Sequence, residues 1–179
     1  MEGFTGTSTT NADLATYDGD DDPDLRYTAV AAGALNVWAT TTLYIAPGTE
    51  FAPGGAVTLH GNKGGNGDGD LRLAVGLRQD GVAASSTLTM GSNNLILAGN
   101  WFASSTSIFT HTGTVTFNST STTQQKSIVA TSSVFGNNVT FNGAGGSWTF
   151  GGNAATTSNI FTITNGAVTA PSTDLTISG

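Results

Sequence analysis

The densest cluster of candidate metal ligands is the acidic stretch DGDDDPD at residues 18–24. Asp18, Asp20, Asp22 and Asp24 alternate with other residues, which is the spacing that calcium loops use for their oxygen ligands. The stretch is not an EF-hand loop, because counting from Asp18 neither the required glycine nor the required glutamate is in place. Close carboxylates repel one another unless a cation neutralises them, so these four aspartates are candidate Ca²⁺ ligands. A solvated acidic linker at an N-terminal boundary is the favoured interpretation, and a loose Ca²⁺ site is the alternative.

A second candidate calcium motif is the glycine-rich stretch GGNGDGDLR at residues 64–72. It approaches the nonapeptide G-G-x-G-x-D-x-U-x of calcium-binding β-helices, but Gly69 stands where that motif requires aspartate. Such a fold also needs tandem copies of the motif, and the sequence offers one. A flexible loop is therefore the favoured interpretation of this stretch.

Groups for acid–base catalysis are scarce. Residues 86–179 contain one carboxylate, Asp174, and one basic residue, Lys126. Enzymes that cleave polysaccharides use at least two carboxylates within reach of the bond. Only the N-terminal half could supply them, for example from Asp68, Asp70 and Asp80. We therefore expect no catalytic residues and no enzyme, and a polysaccharide-acting β-helix enzyme is a minor alternative.

Two further patterns could bind ligands through neutral side chains. Trp38, Trp101 and Trp148 could form a platform for stacking sugars, but each lies among apolar residues, which favours packing in a core. Thr-x-Thr steps such as Thr114/Thr116 are compatible with ice binding, which requires a flat, evenly spaced array. Threonine is also an ordinary outward residue of strands. Carbohydrate binding is the main alternative function and ice binding a lesser one.

The composition predicts strands rather than helices. Charged residues make up 9% of the chain, against about 25% in an average domain, and Thr, Ser, Asn and Gly are abundant. These residues favour strands and turns. The net charge of −7, with five Lys and Arg residues, argues against nucleic acid as a partner. Cysteine is absent, and no apolar run approaches the roughly 20 residues of a membrane span, so we expect no membrane insertion.

A repeated motif indicates how these strands are arranged. VTFN occurs at residues 115–118 and again at 139–142, a separation of 24 residues (139 − 115). Its alternation of apolar residues and threonine is typical of a half-buried strand. Short alternating strands separated by Gly and Asn turns, at a rung-like spacing, predict an all-β chain folded as a β-solenoid similar to a parallel β-helix. Val115 and Phe117 should then stack on Val139 and Phe141. An antiparallel β-sandwich is the alternative.

Residues 86–179 also resemble repeats of very long secreted surface proteins of uncultured bacteria. The resemblance lies in the string LTMGSNNLILAGNWFASSTSIFTHTGTVTFN, the segments QQKSIV and FGNNVTFN, and the following GAGGSWTFGGN. It implies a β-rich, non-catalytic architecture at the cell surface, and it transfers no functional motif. Residues 1–80 depart from the pattern.

These observations predict an acidic cap or linker at residues 1–36 and a β-repeat domain at 37–179 that changes character near 80–86. We expect a segment of a longer protein or a mature form, because no signal peptide begins the chain. The predicted function is a non-catalytic, extracellular structural or adhesive segment of a bacterial surface protein or filament. Its expected partners are neighbouring repeats, copies of itself and surface glycans. No cofactor other than Ca²⁺ is indicated.

Overall fold

The structure, a computed structural model, describes residues 7–8, 12–14, 24–25, 30–31, 35–38, 42–45, 50–60, 70–73, 75–77, 83–103, 106–130, 134–135, 137–151, 155–157 and 159–178. These residues form strands and loops and contain no helix. Accordingly, none of them belongs to a helix that is long and apolar enough to cross a membrane. The strands in chain order are β1 (Thr7–Ser8), β2 (Ala12–Leu14), β3 (Asp24–Leu25), β4 (Val30–Ala31), β5 (Leu35–Trp38), β6 (Thr42–Ile45), β7 (Glu50–Phe51), β8 (Val57–His60), β9 (Asp70–Leu73), β10 (Val75–Leu77), β11 (Ala83–Ser85), β12 (Thr87–Gly91), β13 (Leu95–Leu97), β14 (Trp101–Ala103), β15 (Ile108–His111), β16 (Val115–Phe117), β17 (Lys126–Ala130), β18 (Val134–Phe135), β19 (Val139–Gly151), β20 (Ala155–Thr157), β21 (Phe161–Thr169) and β22 (Leu175–Ile177).

The strands stack into three faces, and the chain visits the faces in turn. The first face is the parallel ladder β2-β5-β8-β13-β16-β19-β21, and the second is the parallel ladder β3-β6-β9-β14-β17-β19-β21. Long strands β19 and β21 run through both faces and join them into one 12-stranded sheet. The third face consists of β7-β12-β15 and β18-β20-β22, again parallel. This succession of stacked coils is a β-solenoid, which confirms the predicted fold class; the chain does not form the alternative sandwich.

The duplicated VTFN motif forms two adjacent rungs of the first face. Strands β16 and β19 pair in parallel, with Val115 opposite Val139 and Phe117 opposite Phe141. The rings of Phe117 and Phe141 lie parallel, with centroids 4.9 Å apart and planes 9° apart. The threonine between each apolar pair is on the other side of the sheet and half-buried. The register predicted from the sequence is confirmed.

Alternation places one set of side chains inside every coil. On the first face, Leu59, Leu97, Phe117 and Phe141 follow one another in register, and each is at most 2% exposed. A single coil could not shield such residues from water, so the hydrophobic free energy is gained only when coils stack. The buried core comprises Ile45, Phe51, Val57, Leu59, Leu71, Leu73, Leu88, Met90, Leu95, Leu97, Trp101, Ala103, Val115, Phe117, Ile128, Phe135, Val139, Phe141, Trp148 and Phe150.

Coil length varies because loops and one hairpin are inserted at the corners. The first strand of successive coils begins at Leu35, Val57, Leu95, Val115 and Val139, giving separations of 22, 38, 20 and 24 residues. The long coil contains β10 and β11, an antiparallel pair placed between its second and third faces. Insertions at a corner leave the strand register intact, so the stack continues past them.

Candidate functional site

The acidic cluster predicted to bind Ca²⁺ falls largely outside the described residues. This applies to Asp18, Asp20 and Asp22, whereas Asp24 begins strand β3 with its side chain outside the described part. The glycine-rich residues 61–69 lie outside it as well. Within the ranges that the structure describes, no three His, Asp or Glu residues could together hold a metal ion. The Ca²⁺ assignment therefore stays a prediction.

A polar ladder crosses the corner between the first and second faces. The Asn100 side-chain nitrogen donates to both carboxylate oxygens of Asp70, at 2.9 and 3.0 Å, and its backbone N–H donates to the same carboxylate at 2.6 Å. In the next coil, the backbone N–H of Ser127 donates to the Asn100 side-chain oxygen at 2.6 Å. Asp70 is 8% exposed, and this ladder uses its carboxylate to hold one coil on the next. Of the other carboxylates considered for catalysis, Asp68 and Asp80 lie outside the described residues.

Other corner asparagines also link consecutive coils. The Asn94 side-chain oxygen accepts the backbone N–H of Thr114 at 2.9 Å. Side-chain amides pair directly between Asn159 and Asn137, and between Asn165 and Asn142, each at 2.8 Å. The sequence predicts asparagine at the turns, where it tolerates a left-handed backbone, but it does not predict these hydrogen bonds of the side-chain amides. The signal that could have located them is the recurrence of asparagine at coil spacing, 165 − 142 = 23 and 159 − 137 = 22.

Two of the three tryptophans belong to the core. Trp101 and Trp148 are both 0% exposed, and Trp101 packs edge-on against Phe109 with ring centroids 4.8 Å apart. The favoured interpretation of core packing is confirmed for both, so neither offers an exposed face to a sugar. Trp38 lies on β5, and its side chain is outside the described part.

Two further titratable side chains in the described coils, His111 and Lys126, are buried. His111 is 4% exposed and stacks on Phe109, with ring centroids 4.4 Å apart. Burial lowers the pKa of His111 below its ordinary value of 6.5, and a hydrogen bond from Nδ1 to the Gly113 carbonyl oxygen at 3.3 Å partly offsets this. Lys126 is 4% exposed, and its ammonium group donates to the Gln124 side-chain oxygen at 3.2 Å. Both side chains therefore lie inside the stack and are almost completely shielded from solvent.

The outward side of the first face carries a single column of threonines. Thr58, Thr116, Thr140 and Thr162 are in register, with Ile96 interrupting the column between the first two. Strands β13 and β16 are only three residues long with the pattern buried, half-buried, buried. Each of these strands places one residue outward, so the threonines of this face form a column.

The C-terminal end of the stack exposes the interior of the solenoid. Ile163 continues the inward column of Phe117 and Phe141, which are both 0% exposed, yet Ile163 itself is 49% exposed. Ile177 continues the column of Phe135 on the third face and is 50% exposed. We name the last described coil, residues 160–178, the C-terminal end.

Comparisons with known proteins returned no matching family model, no matching curated protein and no matching solved structure.

Proposed function

We propose that the chain is a non-catalytic structural segment of an extracellular bacterial surface protein, a short rigid spacer built from stacked coils. The observation that carries this proposal is the continuity of the stack. Backbone ladders on three faces, the inward apolar columns and the corner amides all run along the same axis. Bending the stack would break several of these contacts at once.

The placement of the polar side chains supports the same role. Asp70 and Asn100 pair between consecutive coils, and the Asn100 side-chain oxygen accepts the backbone N–H of Ser127 from the next coil. Buried polar groups that are paired in this way fix one arrangement, because any other register leaves them unpaired at a cost of about 1–3 kcal/mol each. The extracellular location rests on the resemblance of residues 86–179 to secreted surface repeats.

A pulling experiment tests the spacer role. The chain is placed between two marker domains and extended in a force spectrometer. Each coil contacts only its neighbours, so we expect unfolding in steps of one or more coils. A coil of 22 residues, such as Val139 to Phe161, would release roughly 75 Å of chain. Smooth extension at low force, without steps, would contradict a rigid spacer.

A glycan array provides the complementary control. The spacer role predicts no binding above background with or without Ca²⁺. Specific binding to one class of glycan would instead favour the carbohydrate-binding alternative, and release of sugar from a polysaccharide would favour an enzyme.

A further inference from the structure

His111 lies where two consecutive coils turn from the third face into the first. It ends β15 and lies opposite Gly91, which ends β12. We name the two turns with their flanking residues, 91–94 and 111–114, the third-to-first corner, because they lead into the first-face strands β13 and β16. The His111 side chain points inward at this corner, where it is 4% exposed and its ring stacks on Phe109.

The third-to-first corner accommodates the neutral form of the His111 ring. Nδ1 lies 3.3 Å from the carbonyl oxygen of Gly113, which can only accept a hydrogen bond, so the proton of the neutral ring is assigned to Nδ1. Nε2 is buried and has no hydrogen-bond partner among the described residues. A second proton would therefore create a buried N–H group without an acceptor. Burial accordingly lowers the pKa of His111 below its ordinary value.

No carboxylate is placed to balance a charge on the inward ring. Residues 81–173 contain no acidic residue, and Lys126 is the only titratable side chain in that stretch besides His111. Strands β12, β14 and β18, which contact β15, all belong to this stretch. Glu50 lies on β7, beyond β12, and its exposed side chain accepts a hydrogen bond from Thr89 on the outward side of the third face. A proton added to the His111 ring would thus place an unbalanced charge inside the stack.

The turn that carries the ring also bonds its coil to the neighbouring coils. The backbone N–H of Thr112 donates to the Gly91 carbonyl oxygen at 2.6 Å, and the backbone N–H of Thr114 donates to the Asn94 side-chain oxygen at 2.9 Å. The Asn137 side-chain nitrogen, from the following coil, donates to the Thr112 carbonyl oxygen. Rotation of the imidazole out of the core would separate these pairs, because the ring and both backbone donors belong to one short turn.

We propose that His111 is an acid-sensitive switch: protonation of its ring opens the third-to-first corner while the first-to-second corner of the same coils stays closed. In the open corner the charged ring reaches water, which supplies the acceptor that the core lacks. The open state binds the proton and the closed state does not, so acid shifts the equilibrium toward the open state. This inference goes beyond the spacer role and does not depend on it, because the switch requires only the stacked coils.

Hydrogen exchange of the full chain, measured at pH 7.5 and pH 5.5, tests the switch. The neutral fraction of a water-exposed ring with the ordinary pKa of 6.5 falls from about nine-tenths to about one-tenth between these pH values. After correction for the chemical exchange rate, the backbone N–H groups of Thr112 and Thr114 should therefore lose about tenfold in protection. Unchanged protection of these two groups overturns the proposal.

Added urea distinguishes a local opening from unfolding of the whole chain. The control is the backbone N–H of Asn118, which donates to the Leu97 carbonyl oxygen at 3.0 Å at the first-to-second corner of the same coils. At pH 5.5 the protection of Thr112 should be lower than that of Asn118 and should depend only weakly on urea, because a local opening exposes little surface. Equal protection and equal urea dependence at the two corners overturn the proposal.

Substitutions assign the pH dependence to His111. His111→Asn keeps a side-chain N–H group for the Gly113 carbonyl oxygen, and His111→Phe keeps an aromatic ring on Phe109; both should abolish the tenfold change at Thr112. His60→Asn removes the other histidine of the chain and should leave that change intact. Persistence of the change in either His111 variant, or its loss in His60→Asn, overturns the proposal.

The unchanged chain provides a readout that holds even if the His111 variants fail to fold. Nuclear magnetic resonance reports the charge of the ring directly, and the His111 ring is identified by its proximity to Phe109. While the third-to-first corner is protected from exchange, the ring should keep the chemical shift of its neutral form. A charged ring in a corner that remains protected overturns the proposal.

Discussion

Replacement of Phe141 by alanine should remove a fully buried ring that has three close aromatic neighbours. Phe141 is 0% exposed. Its ring centroid lies 4.9 Å from that of Phe117, 5.2 Å from Trp148 and 5.3 Å from Phe161. These neighbours belong to three successive coils, so the ring joins coils above and below its own.

The expected loss in the free energy of unfolding follows from these contacts. Truncating a buried Phe to Ala costs about 3–5 kcal/mol, and aromatic pairs contribute about 0.5–1.5 kcal/mol each beyond their buried area. Three close aromatic neighbours place Phe141→Ala in the upper part of the range, about 4–5 kcal/mol. For a chain of this size that loss lowers the melting temperature by roughly 8–20 °C. The matched control Thr140→Ala changes a half-buried residue on the outward side and should cost about 0.5 kcal/mol or less.

Urea unfolding followed by tryptophan fluorescence measures both variants. Trp148 contacts Phe141 directly, so its emission reports on this part of the core. Equal losses in the free energy of unfolding for Phe141→Ala and Thr140→Ala would refute the assignment of Phe141 to the inward side and Thr140 to the outward side of the sheet.

Three further changes test the corners and the buried polar groups. Gly166→Ala should destabilise the chain by about 2–3 kcal/mol in thermal melts, because φ is +93° and the new Cβ would meet a backbone oxygen at 2.6 Å. Gly151→Ala is the control: its Cβ would make only ordinary contacts, so its stability should stay within about 0.5 kcal/mol of the unchanged chain. Asn100→Ala leaves the Ser127 N–H without its acceptor and should cost about 1–3 kcal/mol in urea unfolding. Because burial lowers the pKa of His111 in the folded chain, the unfolded chain binds more protons, and stability should fall as pH drops through about 6.5. His111→Phe should reduce this loss in denaturation midpoints compared from about pH 7.5 to pH 5.5, and an unchanged pH slope would contradict the role of His111.

The sequence predicts the strands and one register correctly for a physical reason. Alternation of apolar and polar residues reports which residues face the core, and the VTFN pair also shares its coil position, so its stacking was predictable. TLTMGSN at 87–93 and SWTFGGN at 147–153 also share a pattern of hydrophobic, Thr, hydrophobic, Gly, small and Asn residues, but they do not share a coil position. The first segment includes β12 of the third face, whereas the second includes part of β19 on the second face. All three faces require the same alternation, so the pattern identifies a strand without identifying its face.

The side-chain ladders and the exposed end could not be predicted in this way. Whether Asn100 meets Asp70 depends on register across a 30-residue separation that includes the inserted hairpin. The local pattern at Ile163 is the same as at Phe117, yet Ile163 is half exposed because no described strand lies over it. The Asn100–Asp70 contact and the exposure of Ile163 both depend on how coils stack, and the residue pattern within one strand does not determine that stacking.

Distances between spin labels test the coil stack most directly. Absence of cysteine allows specific labelling of pairs introduced by Thr58→Cys with Thr162→Cys and Asn36→Cys with Thr162→Cys. Thr58 and Thr162 belong to one column on the first face and are separated by four strand spacings, with residues 96, 116 and 140 between them. Asn36 precedes Thr58 in this column and is therefore five strand spacings from Thr162. At about 4.8 Å per strand, pulsed electron paramagnetic resonance should give backbone separations of about 19 and 24 Å, each with a narrow distribution. Equal separations for the two pairs, a shorter second distance or broad distributions would contradict the parallel stack.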